Sequence, residues 1–380
     1  MSVLKTATRF DAHCHLFNLK YLGEEGAHML RDAAANEYPH QQYSEGAFPY
    51  DPITSIRELK GWLKILGDAG FDTEAEHLQE VLQAGSNIWK DELPMACIPL
   101  MMDIYFLFDE PVSAGKSARP LVRKKGSITT WIIDKILGDR VAPYFDSLGF
   151  NKERQKLQEL VKKNPGKLFP FFAIDPRRTG VIAEIFKGKI VSKQGPFYGI
   201  KLYPRLGVHP QCNDLLPLYA WCEQNQIPII THTDRIGFPP PQVEKLLRYN
   251  YADFGNPIHW EPILQKHPNL IIDFAHFGMS EATWSDTVAR FIGTYPQVYS
   301  DLSCYTSGQV VSDFKAKWWN LPQVAERTMF GTDFDVNVAV SPGLTLSHYY
   351  KNFLQEHNPG AFTSEELYQM TVVNPAKFLH

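Results

Sequence analysis

What the sequence lacks narrows its class first. No apolar stretch in the 380 residues reaches the roughly 20 needed to span a bilayer, and Met1 to Arg9 lack the apolar run of a signal peptide. There is no basic run with interleaved aromatics, and the formal net charge of −4 offers nothing to a nucleic-acid backbone. Five cysteines (Cys14, Cys97, Cys212, Cys222 and Cys304) form no CxxC pair and no regular framework, so no disulfide scaffold is expected. An odd, scattered set suits a reducing compartment. Together these absences point to a cytoplasmic protein with neither membrane nor nucleic-acid partners. Oligomeric state leaves no mark.

At this length the chain can bury a large core, as one barrel or as two smaller units. The apolar runs decide between them. Strands are expected over 7–15, 95–105, 168–175, 197–203, 227–232, 269–276, 298–303 and 328–333. Helices are expected around 54–66, 73–84, 152–163, 180–187, 213–225, 257–267, 281–293, 311–319, 343–356 and 364–372, with a short one from Asn374. From the third strand on, strands and helices alternate, which is the pattern of an α/β fold of the (β/α)8 barrel type. No Gly-rich phosphate turn follows the first strand, which argues against a doubly wound sheet. We expect one barrel domain over 1–380, with insertions at about 18–92 and 106–148 after the first and second strands.

The polar residues are placed where such a barrel does its chemistry. His13 and His15 end the first strand and, being two apart, share a face, while Cys14 points away. Two adjacent imidazoles are two ligands for a divalent metal and lack a third. Lys201, His232, His276 and Asp333 interrupt the ends of the fourth, fifth, sixth and eighth strands. Each has an ordinary reading alone: a snorkelling lysine, core histidines, a helix-capping aspartate. All C-terminal strand ends of a barrel meet on one face, however, and there the set makes a metal site. Arg235 in the Pro-rich loop after the fifth strand, and Arg177 with Arg178 after the third, could clamp a substrate carboxylate or form structural ion pairs. Tyr203 and Arg205 follow Lys201 closely enough to reach a pocket. His209, in the same loop, is not taken as a site residue; His40 and His77 are read as packing or solvated residues, and Asp103 either faces the site or binds backbone at its strand end.

With Asp11-Ala12-His13-Cys14-His15, Gly199-Ile200-Lys201-Leu202-Tyr203-Pro204, Thr231-His232, Phe274-Ala275-His276-Phe277-Gly278 and Phe330-Gly331-Thr332-Asp333, the chain resembles the amidohydrolase superfamily. Within it, the likeness is to the "amidohydrolase 2" group of metal-dependent TIM-barrel proteins. The resemblance implies His13, His15 and His232 as metal ligands, and Asp333 as a metal contact and general base. Lys201 stands where two-metal members carry a carboxylated lysine bridging both ions, and His276 where they carry a second-metal ligand; in one-metal members that histidine polarises the substrate. The resemblance thus implies one or two divalent ions, zinc first among them, and hydrolysis of an amide, lactone or ester bond of a small molecule. Decarboxylation or hydration of a small carboxylic acid is the alternative it leaves open. The two insertions have no counterpart in the pattern, and no motif names the substrate.

Overall fold

A computed structural model describes residues 7–16, 74–89, 93–103, 106, 111–118, 148–178, 180–237, 251–334 and 344–380. The helix expected over 54–66, His40 and most of both insertions lie outside these residues. The described chain runs β1 (Arg9–Cys14), α1 (Glu74–Trp89), β2 (Met95–Pro99), α2 (Leu148–Lys163), β3 (Phe171–Ala173), α3 (Val181–Phe186) and β4 (Gly199–Leu202). It continues with α4 (Leu216–Asn225), β5 (Ile229–His232), α5 (Glu261–Lys266), β6 (Ile272–Ala275), α6 (Ala282–Thr294) and β7 (Val298–Asp301). The last elements are α7 (Gly308–Trp318), α8 (Pro322–Ala325), β8 (Thr328–Met329), α9 (Leu346–Phe353), α10 (Ser364–Tyr368) and α11 (Asn374–Leu379).

All strand pairs are parallel: β1 with β2, and β3 through β8 in sequence order. Backbone bonds also join the two sheets. Phe169 N donates to the Cys97 carbonyl at 3.0 Å and Met101 N to the Phe171 carbonyl at 3.1 Å, which ties β2 to β3. Ala12 N donates to the Phe330 carbonyl at 2.8 Å and His15 N to the Phe334 carbonyl at 2.7 Å, which ties β1 to the end of β8. Parallel pairing therefore runs around all eight strands, as expected of a TIM barrel. No helix among the described residues is long and apolar enough to cross a membrane.

Alternation along the strands sorts the core into two layers. Phe10, Ala12, Ile98, Phe171, Ile230 and Tyr299 face inward and pack on Phe378 and Leu379 of α11. Phe172, Ile200, Ile229, Phe274 and Val298 face outward and pack with Leu157, Leu218, Leu264 and Val288 of the surrounding helices. β1 breaks the alternation once. Asp11 pairs with Cys97 and Cys14 with Pro99, so three steps on β1 oppose two on β2. This bulge puts Phe10 and Ala12 inside the barrel and then returns His13 and His15 to the same interior, with Cys14 in the outer layer.

Observed elements are mostly shorter than expected. β2 ends at Pro99 rather than near 105, and β8 spans two residues. The helix expected at 257–267 starts as a 3-10 segment, Pro257–Trp260, before α5. α1 runs past 84 to Trp89, and the helix expected to 372 changes to a π turn over Gln369–Val373.

Candidate metal centre

The strand C-terminal ends carry the polar cluster. After β8 the backbone comes close to β1, which only a residue without a side chain permits: a Cβ on Gly331 would lie 2.6 Å from the Cβ of His13. The buried Asp11 carboxylate fixes this junction, accepting from Thr332 Oγ1 at 2.6 Å, Thr332 N at 3.0 Å and His13 N at 3.2 Å. Asp333 then adopts a left-handed φ of 51°, a conformation that costs energy outside glycine and clusters at functional sites.

That turn brings Asp333 Oδ1 within 3.3 Å of His13 Nε2 and 3.1 Å of His15 Nε2. The other ring nitrogens set the tautomers. His15 Nδ1 donates to the Leu100 carbonyl at 2.8 Å and His13 Nδ1 to Asp301 Oδ2 at 2.7 Å. In the neutral rings, both Nε2 lone pairs therefore converge on one carboxylate oxygen. Burial pushes the His15 imidazole down to about 4. Burial also opposes charge on His13, but the Asp301 carboxylate overrides it and raises that ring above the ordinary range. Burial alone would raise Asp333, yet its hydrogen bonds to His13 and His15 hold it well below the usual carboxylate range.

The second part of the cluster repeats the pattern. Ser303 Oγ donates to Asp301 Oδ1 and so accepts from His276 Nδ1 at 2.7 Å. His276 Nε2 is then unprotonated and faces His232 Nδ1 at 3.1 Å. His232 Nε2 donates to the Ile236 carbonyl at 3.1 Å, so its Nδ1 is a lone pair too. Burial lowers both imidazoles below their ordinary range, His232 well below it. His276 sits at φ 66°, another left-handed position. Tyr203 stacks on His232 with centroids 4.2 Å apart. Gly237, at φ 143°, folds the loop over this pair, and a Cβ there would lie 2.7 Å from Tyr203 Oη.

Lys201 projects inward from β4 and is 2% exposed. Its Nζ has no hydrogen-bond partner among the described residues. Burial pushes the ammonium down to about 8 against the pull of Asp301, Asp333 and Asp273.

Among the described residues, three donor sets lie with their atoms within 4.8 Å of one another: His13, His15 and Asp333; His13, His276 and Asp301; and His276, Cys304 and Asp333. The residues present fit a divalent cation, because buried lone pairs converge in two places with too few protons between them. Asp301, Ser303 and Cys304 were not anticipated from the sequence. Asp301 did carry a signal, since it ends β7 two residues after the inward-facing Tyr299 as His232 ends β5 two after Ile230.

The candidate substrate clamps are engaged elsewhere. Arg177 is buried and donates to both Asp175 oxygens and to the Phe106 and Leu206 carbonyls, so it is a structural pin. Arg178 forms a two-bond pair with Asp103 at 2.6 and 2.7 Å, which accounts for Asp103 as well. Arg235 pairs with Glu281 at 2.8 Å with its side chain 46% exposed. His77 is buried and packs edge-on against Phe334, and His209 packs on Phe254 and His259.

The barrel is shared with solved enzymes. The 5-carboxyvanillate decarboxylase of Sphingomonas paucimobilis superposes with a TM-score of 0.55 at 11% identity, covering 98% of this chain and 99% of that one. A 5-carboxyvanillate decarboxylase of Novosphingobium aromaticivorans, solved with bound manganese and 3-methoxy-4-hydroxy-5-nitrobenzoic acid, gives 0.55 at 12% identity, covering 100% and 99%. The 4-oxalomesaconate hydratase of Rhodopseudomonas palustris gives 0.52 at 12% identity, covering 98% and 95%. At such identities the likeness is one of fold. No curated protein matches the sequence. The amidohydrolase family model, in its "amidohydrolase 2" form, matches residues 145–380, the span from just before α2 to past α11 that carries Lys201, His232, His276 and Asp333. The chain belongs to the amidohydrolase family and is an enzyme of that superfamily.

Proposed function

We propose that the chain is a metal-dependent hydrolase that cleaves an amide, lactone or ester bond of a small molecule. The observation that carries this reading is the convergence of the buried His13 Nε2 and His15 Nε2 on Asp333 Oδ1, at 3.3 and 3.1 Å. His13, His15 and Asp333 would hold a divalent ion, with His232 and His276 across the site. When bound, such an ion supplies Lewis acidity: it lowers the pKa of water to about 7 and polarises a carbonyl.

The chain's own residues supply orientation and proton transfer. Asp301 and the Leu100 carbonyl hold the two imidazoles by their Nδ1 protons. Asp333 accepts the proton of the attacking water and passes it to the leaving group. His276, tethered through Nδ1 by Ser303, would offer its unprotonated Nε2 to a second ion. Lys201, whose Nζ has no hydrogen-bond partner among the described residues, would be the carboxylated lysine of a two-ion site.

The alternative, decarboxylation or hydration of a small carboxylic acid, turns on the state of Lys201, which argues against it as a carboxylated bridging ligand. Lys201 left as an ammonium would bind a substrate carboxylate rather than a second ion. Elemental analysis of protein purified without chelator or His-tag separates the two, together with 13C NMR after labelling with bicarbonate. Two ions per chain and a carbamate carbon on Lys201 support hydrolysis. One ion and no carbamate transfers the assignment to the decarboxylase. No ion after reconstitution overturns both.

A further inference from the structure

We propose that Cys304 is a metal ligand, and that Asp333 bridges two ions, one on each carboxylate oxygen. This rests on the metal-centre reading and adds a thiolate to it. The two Asp333 oxygens face different donors. Oδ1 meets His13 and His15, whereas Oδ2 accepts from Cys304 Sγ at 2.8 Å. A ring nitrogen of His276 joins Cys304 Sγ and Asp333 in a set within 4.8 Å. Asp333 is therefore common to two donor sets, with a different partner on each oxygen.

Three further observations point to a ligand here. His276 Nε2 and His232 Nδ1 face each other as lone pairs at 3.1 Å, a buried repulsion that a cation relieves. Lys201 Nζ, on a side chain 2% exposed, has no hydrogen-bond partner among the described residues and feels both Asp333 and Cys304. Cys304 is set apart from the other four cysteines: Cys14, Cys97, Cys212 and Cys222 are buried in the apolar layer between strands and helices, while Cys304 is partly exposed on the site face.

Coordination would exchange the Sγ–H···Oδ2 bond for a sulfur–metal bond and release the thiol proton to solvent. Asp333 and Cys304 would each carry one negative charge opposite the second ion, so this position is anionic whether or not Lys201 is carboxylated. A thiolate also sets selectivity. Sulfur favours zinc and cobalt over magnesium, calcium or manganese.

The test uses the full chain loaded with Co2+, with Cys304→Ser and Cys304→Ala beside it. The parent should bind two cobalt ions and show a near-ultraviolet thiolate-to-cobalt charge-transfer band. Both variants should lose the band, retain one ion, and hold the second at least about tenfold more weakly in chelator competition. The retained ion reports an intact fold and an intact His13–His15–Asp333 set. Cobalt bound without a thiolate band, or a band that survives in Cys304→Ser, overturns the assignment of Cys304 and leaves the metal-centre reading standing. No bound cobalt in the parent overturns both.

Discussion

The Asp301 carboxylate works on two sides at once. One oxygen accepts from His13 Nδ1 at 2.7 Å, while the other accepts from Ser303 Oγ, Ser303 N at 2.9 Å and His276 N at 3.1 Å. It thus couples both histidine groups through one buried side chain. Burial alone would raise this carboxyl, but the His13 imidazole overrides it and holds it below the usual carboxylate range. Asp301→Asn keeps the volume and removes the charge, and its amide nitrogen must face donors on one side. We expect metal affinity to fall by about 10- to 100-fold with little change in fold, measured by competition with a chromophoric chelator. Unchanged affinity would mean that His13 is oriented by β1 alone. His13, His15, Lys201, His232, His276 and Asp333 stand out as candidates in the sequence because each is a polar interruption at the end of an apolar run. Ser303 and Cys304 lie beyond their strand, where no periodicity applies. For Arg177 the sequence left two readings open, a substrate clamp and a structural ion pair. Sequence shows an arginine in a loop, but not that Asp175 and the Phe106 and Leu206 carbonyls already take its donors.

Among elements, the loop after β5 has the tightest requirement. Its Gly237 holds φ 143° and passes so close to Tyr203 and His232 that an added Cβ would sit 2.7 Å from Tyr203 Oη and 2.9 Å from His232 Nε2. Relief by rotation is blocked, since Tyr203 is stacked on His232 and His232 is bonded to Ile236. Gly237→Ala should therefore cost about 1–3 kcal/mol in chemical denaturation, from the backbone conformation and the displaced ring together. A variant as stable as the parent would show that the loop lifts freely off His232. Strand order and the parallel ring were legible, because strands buried on both faces read as short apolar runs between helical patterns. The bulge in β1 was not, since it is defined by register against β2, which the sequence does not contain. Nor was α8, Pro322–Ala325, whose four residues complete barely one helical turn and so show no period.

Across the whole molecule, His209 carries an acid liability that the fold creates by joining distant segments. His209 N donates to the Val112 carbonyl at 2.8 Å, and its ring packs on Phe254 and His259, 5.0 and 4.4 Å between centroids. Gln211 N donates to His209 Nδ1 at 3.1 Å, so the folded state requires an unprotonated nitrogen there. Burial first, and then His259, push this imidazole down from 6.5 to about 4. The sign follows from proton binding. Between pH 6.5 and 4 the unfolded chain holds a proton on His209 that the folded chain does not, so this residue destabilises the fold increasingly as pH falls through that window. Above 6.5 it contributes nothing to the pH dependence. The full effect is at most about 3 kcal/mol near pH 4. His209→Asn offers a carbonyl oxygen to Gln211 N without titrating. Denaturant midpoints of parent and variant, both in excess chelator so that proton–metal competition cancels, should differ in their fall between pH 7 and pH 4.5. The variant should lose the smaller amount. Parallel losses would mean that His209 takes up its proton in the folded state, with the contacts between the Pro204–Leu206 turn, Val112 and Phe254 opening to admit it.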